Sequence, residues 1–158
     1  MKELPEIKTF EQADKFDGIQ GVLMERASSG EIITEIQQQI LDKAIYEFSG
    51  NVDLTFRAVS SAWQMIGNYA SEIKEVKGYG PEYKEWFVHI KFTDYNRNIV
   101  TEYADVASKT GGNETFALRS LVSKLTGKCM RQLMPISIKQ RLINDYLRAY
   151  LELKEEPQ

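Results

Sequence analysis

Histidine and cysteine are nearly missing from this sequence, and their scarcity excludes several kinds of catalytic or metal site. The 158 residues include one histidine, His89, and one cysteine, Cys129. A catalytic triad or a zinc site needs several such side chains brought together. Cys129 lies on a predicted apolar helix face, where we expect a buried, inert thiol. We therefore expect a protein that binds its target without catalysis, cofactor or metal.

Long apolar runs and a secretory signal are absent as well. No apolar run approaches the roughly 18 residues of a membrane-spanning helix, and the N-terminal MKELPEIKTF lacks the apolar stretch of a signal peptide. A single cysteine permits no intrachain disulfide, as is usual in a reducing compartment. We expect one soluble domain over residues 1–158 in the bacterial or infected-host cytoplasm, with disorder at residues 1–8 and 154–158.

Charge is distributed unevenly along the chain. Residues 1–107 carry 11 Lys and Arg against 18 Asp and Glu, whereas residues 108–149 carry 8 Lys and Arg against two acidic residues. This asymmetry indicates an anionic partner for the C-terminal third. The alternative is that the acidic and basic parts neutralise each other within the fold or across an oligomer.

The spacing of apolar residues predicts eight elements of secondary structure. Helical spacing predicts helices over about 10–26, 31–48, 61–76, 114–134 and 138–153. Alternating apolar and polar residues predict a strand over 52–58 and a β-hairpin over 86–106. The order α-α-β-α-β-β-α-α is typical of an α+β fold, in which a small, mostly antiparallel sheet with this hairpin packs against helices.

The helix predicted over 114–134 carries the strongest functional feature. At about 100° per residue, Lys124, Lys128 and Arg131 fall together on an arc beside the apolar face, and Arg119 lies nearer the helix start. A row of cations suits a phosphate backbone, which it attracts without sequence preference. The alternative is an ordinary solvated helix face.

Single-stranded nucleic acid also needs aromatic surfaces on which its bases stack. Tyr95 and Arg97 lie at the tip of the predicted hairpin and are candidates to contact bases and phosphates. Further aromatic residues lie near the loop that precedes the hairpin, namely Tyr79, Tyr83 and Trp86. The alternative is that all of these are ordinary aromatic residues of a sheet.

The segment KTGGN, which begins at Lys109, joins the hairpin to this helix. Backbone N–H groups and the positive end of the helix dipole meet at such a junction, so it is a candidate phosphate site that includes Lys109. It is not a Walker loop, because no Gly-Lys-Ser/Thr follows at the required spacing. It resembles in part the acyl-coenzyme A loop of the GNAT acetyltransferases, which implies a small acyltransferase as one alternative function. A plain flexible glycine turn is the other interpretation.

The stretch from Glu85 to Pro135 reads EWFVHIKFTDYNRNIVTEYADVASKTGG and then NETFALRSLVSKLTGKCMRQLMP. It resembles the core of phage single-strand annealing proteins of the Rad52, Erf and RecT type, which share a β-hairpin followed directly by a long basic helix lining a nucleic-acid groove. The resemblance covers about a third of the chain. It implies that Lys124, Lys128 and Arg131 face DNA and that Arg97 lies on the hairpin loop.

The resemblance further implies a homo-oligomer, as a ring or filament, that binds single-stranded DNA without a cofactor. Our leading expectation is thus a phage or mobile-element protein that binds and anneals single-stranded nucleic acid, with the choice between DNA and RNA left open. The second is a protein-interaction module, such as a phage anti-defence or assembly protein, with no nucleic-acid role. The third is the acyltransferase-like enzyme.

Overall fold

The computed structural model describes residues 4–109 and 114–155 and contains five helices and six strands within them. In chain order these are β1 (Glu6–Ile7), α1 (Phe10–Ser28), α2 (Glu35–Asp42), β2 (Ile45–Phe48), β3 (Asn51–Leu54), α3 (Phe56–Ile66), β4 (Tyr69–Tyr79), β5 (Glu85–Asp94), β6 (Ile99–Ser108), α4 (Glu114–Leu133) and α5 (Ile136–Glu155). A 3₁₀ turn at Pro81–Tyr83 separates β4 from β5. None of the described helices combines the length and the apolar character that a membrane crossing requires.

The strands form two three-stranded sheets rather than one. In the first sheet, β2 lies between β1, which is parallel to it, and β3, which is antiparallel. In the second sheet, β4, β5 and β6 form an antiparallel meander whose central strand is β5. The protein therefore has the predicted α+β fold, and the predicted hairpin is confirmed as β5 and β6.

Helix α4 occupies the centre of the molecule. It packs across β5 and β6 on one side and against α1 and α3 on the other, while α5 covers β2 and β3 of the first sheet. The core where these layers meet is apolar and includes Trp63, Phe92, Leu125 and Cys129, each at most 1% exposed. Because α4 contacts both the hairpin and α1, the side chains on its flank lie between those two elements.

The prediction of a single helix over 31–48 is wrong, because the chain turns into a strand after α2. Lys43 has extended backbone angles, and Ile45–Phe48 pairs with Asn51–Leu54 as an antiparallel hairpin. The two-residue turn, Ser49 and Gly50, has positive φ at both positions, as tight hairpin turns require. Ile36 of α2 is also largely exposed, although the predicted helix would have placed it on an apolar face.

The predicted strand over 52–58 and helix over 61–76 are both shifted in the structure. Thr55 caps α3, which already begins at Phe56, and α3 ends at Gly67, where φ is positive. The chain then forms β4, whose pairing with β5 shifts register between Ile73 and Glu75. This bulge interrupts the alternation of apolar and polar residues from which a strand is recognised.

Residues near both termini take part in secondary structure. Glu6 and Ile7 form β1, and the N–H of Glu47 donates to the carbonyl of Pro5 over 2.9 Å. The expectation of disorder over residues 1–8 and 154–158 stays a prediction. The buried side chain of Ile7 gives the pairing an apolar anchor. Residues 154–155 complete α5. Residues 1–3 and 156–158 lie outside the described residues.

Two glycines bring α1 unusually close to α4. A Cβ atom at Gly18 would lie 2.1 Å from Oγ of Ser120, and one at Gly21 would lie 2.3 Å from Cβ of Ser123. Both distances are far inside van der Waals contact, so neither position has room for a side chain. Glycine costs helical stability in isolation, but here it allows the two helices to touch.

We expect Gly21→Ala to destabilise the protein by about 1–3 kcal/mol, although alanine is the better helix former. The added methyl group must displace Ser123 or push α1 away from α4. Urea denaturation measures the loss. In a Gly21→Ala, Ser123→Gly double variant the space is restored, and we expect most of the lost stability to return. A neutral or stabilising effect of Gly21→Ala alone would contradict this close helix contact.

Candidate nucleic-acid interface

The three cations predicted to form a row do lie along one flank of α4, between α1 and β6. Their side chains are 24% exposed for Lys124, 38% for Lys128 and 20% for Arg131. The helical spacing therefore located them correctly relative to one another. Their surroundings differ from the expectation of an open row, because each has a carboxylate partner.

Lys124 pairs with Asp105 of β6, with 2.8 Å between Nζ and Oδ2. Partial burial raises the pKa of Asp105, but the hydrogen bond and charge of Lys124 and the N–H of Val106 together outweigh burial, so this pKa lies below its ordinary value of 3.8. The aspartate therefore remains charged at neutral pH and neutralises Lys124. The pair connects α4 to β6 of the hairpin, beside the row of cations.

Lys128 pairs with Asp14 of α1 over 3.4 Å and lies 5.9 Å from the centre of the Tyr103 ring on β6. It is the most exposed cation of the row, and its ion pair is the longer of the two lysine pairs. Lys128 thus lies between the carboxylate of Asp14 on α1 and the ring of Tyr103 on the hairpin.

Arg131 is the least exposed cation of the row, and its guanidinium is engaged within the fold. Its guanidinium donates two hydrogen bonds to the carboxylate of Asp17, which is 1% exposed, and a third to the carbonyl of Leu54 over 2.7 Å. Burial raises the pKa of Asp17, although Arg131 opposes this. Burial lowers the pKa of Arg131, but the nearby charge of Asp17 and its hydrogen bonds act against burial, and the net result is a raised pKa. This guanidinium joins α1, α4 and the end of β3.

The two other predicted arginines are paired as well. Nε of Arg119 lies 3.5 Å from a carboxylate oxygen of Glu25 on α1, and both side chains are half-exposed. Arg97 donates to the buried carboxylate of Asp94 over 2.7 Å and also to the carbonyl of Leu133. Burial raises the pKa of Asp94, but the hydrogen bond and charge of Arg97 and the backbone N–H of Asn96 together outweigh burial, and the pKa falls below its ordinary value. Arg97 therefore ties the hairpin turn to the end of α4.

The last two predicted site residues lie at opposite ends of the hairpin. Tyr95 is half-exposed at the tip, next to the turn. Lys109 follows the end of β6, where its ammonium group lies 4.2 Å from the centre of the Trp86 ring. The hairpin is ten residues long on each strand. The structure therefore does not bring Tyr95 and Lys109 together. The rest of the predicted glycine junction, 110–113, lies outside the described residues.

The uneven charge of the chain is largely resolved within the fold. Five of the eight cations in residues 108–149 pair with carboxylates from residues 1–107, which is the second of the two interpretations of the asymmetry. The fifth pair joins Lys139 of α5 to Asp53 of β3 over 3.4 Å. Pairs between partly exposed side chains contribute little net stability, about 0–1 kcal/mol each. The lysine pairs, whose aspartates are partly exposed, are consequently open to exchange, whereas the Arg131 pair has a buried aspartate and is not.

A pocket of about 390 Å³ opens at the C-terminal end of the row. This volume lies within the usual range for ligand sites. The pocket is bounded by α1, the first sheet, β6 and α4, and its lining comprises Phe10, Ala13, Asp14, Asp17, Tyr46, Phe48, Asp53, Tyr103, Lys128, Arg131 and Gln132. We call this site the α1–β6 pocket. Lys128 belongs to both the row and the pocket, so the two features are continuous.

Sequence reasoning missed most of the α1–β6 pocket. Tyr46 and Phe48 were assigned to a helix, although they lie on β2. The available signal was the pair Ser49 and Gly50 between two runs of strand-forming residues, IYEF and NVDL. Asp14 and Asp17 carried no signal, because their place beside α4 depends on the contact between two helices that are distant in sequence.

The reactive residue types lie apart from this site. Cys129 is buried, and burial raises the pKa of its thiol to about 11. His89 lies on β5, where its Nε2 is 3.0 Å from Glu102 of β6. Among residues 4–109 and 114–155, no three His, Cys, Asp or Glu side chains are grouped so that they could hold a metal ion.

Comparisons with known proteins give no match: no family model fits the sequence, and neither curated proteins nor solved structures align with it.

Proposed function

We propose that this protein binds single-stranded nucleic acid and promotes annealing, with the strand following Lys124 and Lys128 along the groove between α1 and β6. The observation that carries the proposal is the order of elements: hairpin β5–β6 leads into the long helix α4, which packs across that hairpin and carries the lysines on its flank. The resemblance to phage single-strand annealing proteins rests on the same order. Binding on this proposal involves neither catalysis nor a cofactor and takes place in the cytoplasm of the bacterial or infected host cell.

Aspartate partners do not prevent phosphate binding at the two lysines. The Lys124–Asp105 and Lys128–Asp14 pairs are partly exposed, and such pairs are worth no more than about 1 kcal/mol. A phosphate that replaces the aspartate gives the lysine an equivalent charged partner. It also releases counterions from the nucleic acid, which supplies further free energy. The displaced carboxylates remain hydrated at the rim of the groove.

The decisive experiment compares the wild-type chain with Lys124→Gln, Lys128→Gln in a titration of a fluorescent DNA single strand at about 50 mM and about 200 mM salt. Each lost phosphate contact lowers the slope of log K against log salt by roughly 0.7 for single strands, so we expect a fall of roughly 1.4. Annealing of two complementary labelled strands is measured in parallel and should slow in the same variant.

The matched control is Arg141→Gln, Arg148→Gln, which removes the same charge from exposed positions on α5. We expect this control to bind like the wild type. The proposal fails if the wild-type chain does not bind the oligonucleotide, or if the row variant and the control behave alike. The same titration with an RNA strand gives the preference between DNA and RNA.

A protein partner is the second candidate function, and exposed apolar side chains favour it. Ile32 is 86% exposed and Ile36 72% exposed, and both lie in or next to α2.

Self-association is part of the leading proposal as well, because β4 and β6 have no further strand at their outer edges within the described part of the chain. Size-exclusion profiles with and without the oligonucleotide separate the two functions, since only nucleic-acid binding shifts the profile when the strand is added.

A further inference from the structure

Aromatic rings surround much of the α1–β6 pocket. Phe10 and Phe48 lie with their ring centres 5.0 Å apart, and Tyr103 stands on the hairpin side of the same cavity. Phe10 is 78% exposed despite this contact, so its ring reaches solvent at the mouth of the pocket. Exposed aromatic rings beside a polar cavity are suited to hold a flat, partly polar ring such as a nucleobase.

The lining of the pocket contains hydrogen-bonding groups that the described residues leave unused, one on the buried Tyr46 and one on the exposed Gln132. Tyr46 is only 5% exposed, yet its hydroxyl group has no hydrogen-bond partner in residues 4–109 or 114–155. Burial raises the pKa of Tyr46 to about 12, so the hydroxyl keeps its proton and can donate. Gln132 accepts from Thr101 and Tyr103 through its carbonyl oxygen, which leaves its amide nitrogen to donate. Because Tyr46 lines the pocket, its hydroxyl group is available to donate to a ligand there.

We propose that the α1–β6 pocket receives one unstacked base of the strand whose phosphates follow Lys124 and Lys128. This inference rests on the proposed nucleic-acid function and makes it more specific. Lys128 provides the connection, because it belongs to the row and also lines the pocket. A base that leaves the stack at this point is held by the aromatic rings, while its polar edge meets the groups in the interior.

The charges in the pocket favour a base over a phosphate. Its lining includes three aspartates, Asp14, Asp17 and Asp53, against the two cations Lys128 and Arg131. These carboxylates pair with Lys128, Arg131 and Lys139 of α5, so the pocket has no excess of positive charge that would attract a phosphate. A base is neutral, and its N–H groups can donate to a carboxylate while its carbonyl groups accept from Tyr46 and Gln132. Phosphates therefore bind outside, at the row, and the base binds inside.

The test compares two single strands of equal length and equal phosphate number, one an oligothymidine and the other an abasic deoxyribose phosphate strand. We expect the wild-type chain to bind the oligothymidine on the order of tenfold more tightly, which is the size of effect that stacking one base on an aromatic side chain produces. Phe10→Ala should reduce this ratio severalfold without affecting folding, because the side chain is mostly exposed.

Tyr46→Phe distinguishes a ligand contact from a structural role. The ring remains and no hydrogen bond to a described residue is lost, so a purely structural Tyr46 predicts unchanged stability and an unchanged ratio. We expect unchanged stability but a smaller preference for the oligothymidine. The control is Tyr95→Ala, which removes the exposed tyrosine at the hairpin tip.

Each outcome has one consequence. If the ratio falls in the two pocket variants and not in Tyr95→Ala, the base site is established. A fall only in Tyr95→Ala would place the bases at the hairpin tip and overturn the inference. If the wild type binds both strands equally and with strong salt dependence, the nucleic-acid function stands and the base pocket is wrong. If neither strand binds, both proposals fail.

Discussion

Asp17→Ala should lower the free energy of unfolding by about 3 kcal/mol, because it removes the buried carboxylate that pairs with the mostly buried guanidinium of Arg131. Asp17 is 1% exposed and accepts two hydrogen bonds from Arg131, whose remaining bond reaches the carbonyl of Leu54. The pair joins α1, α4 and the end of β3, so its loss affects the contact between the helices and the first sheet. Guanidinium or urea denaturation, followed by circular dichroism, measures the change.

The control for this prediction removes both charges together. In Asp17→Leu, Arg131→Met the pair is replaced by apolar side chains of similar length, and we expect a stability equal to or above that of the wild type. A large loss of stability is therefore expected for Asp17→Ala and not for the double variant. If Asp17→Ala costs less than about 1 kcal/mol, the pair behaves like an exposed one and the buried arrangement is wrong.

The same double variant separates the structural role of Arg131 from the role in DNA binding that its place in the row suggested. It lacks the guanidinium but keeps Lys124 and Lys128, so the salt dependence of oligonucleotide binding should match that of the wild type. A slope lowered by roughly 0.7 would mean that Arg131 does contact a phosphate. The row on α4 would then have three functional members rather than two.

Features that depend on local sequence were predicted well. The hairpin and the two C-terminal helices agree with their predicted ranges to within a few residues. Each of these segments has a clear period and a clear stop signal. Segment 43–48 has no clear stop signal before it, because β2 continues the helical spacing of the preceding residues. Segment 69–79 has no clear period, because β4 contains a bulge.

The electrostatic environment of the row could not be predicted in the same way. Helical periodicity placed Lys124, Lys128 and Arg131 on one flank, but their partners come from positions more than a hundred residues away on α1 and from β6. Those partners are fixed by the close approach of α1 and α4, which two glycines permit. The role of these glycines could not be predicted, because it depends on a neighbouring helix that is distant along the chain.

The second large effect that we expect is a loss of about 3–5 kcal/mol in Trp63→Ala. Trp63 is 0% exposed, and its ring meets those of Phe92 at 4.9 Å and Tyr69 at 5.7 Å, both edge-on. Its Nε1 also donates to the carbonyl of Met130 on α4 over 3.0 Å. One side chain thus joins α3, the second sheet and the helix that carries the lysine row.

Trp63→Phe serves as the control, because it keeps an aromatic ring in the core and removes the hydrogen bond to Met130. We expect it to cost about 1–3 kcal/mol, the price of leaving that carbonyl unsatisfied and a small space unfilled. Chemical denaturation of both variants checks the order. Equal losses in the two variants would mean that the hydrogen bond, rather than the packing of the ring between Phe92 and Tyr69, holds the hairpin sheet against α3 and α4.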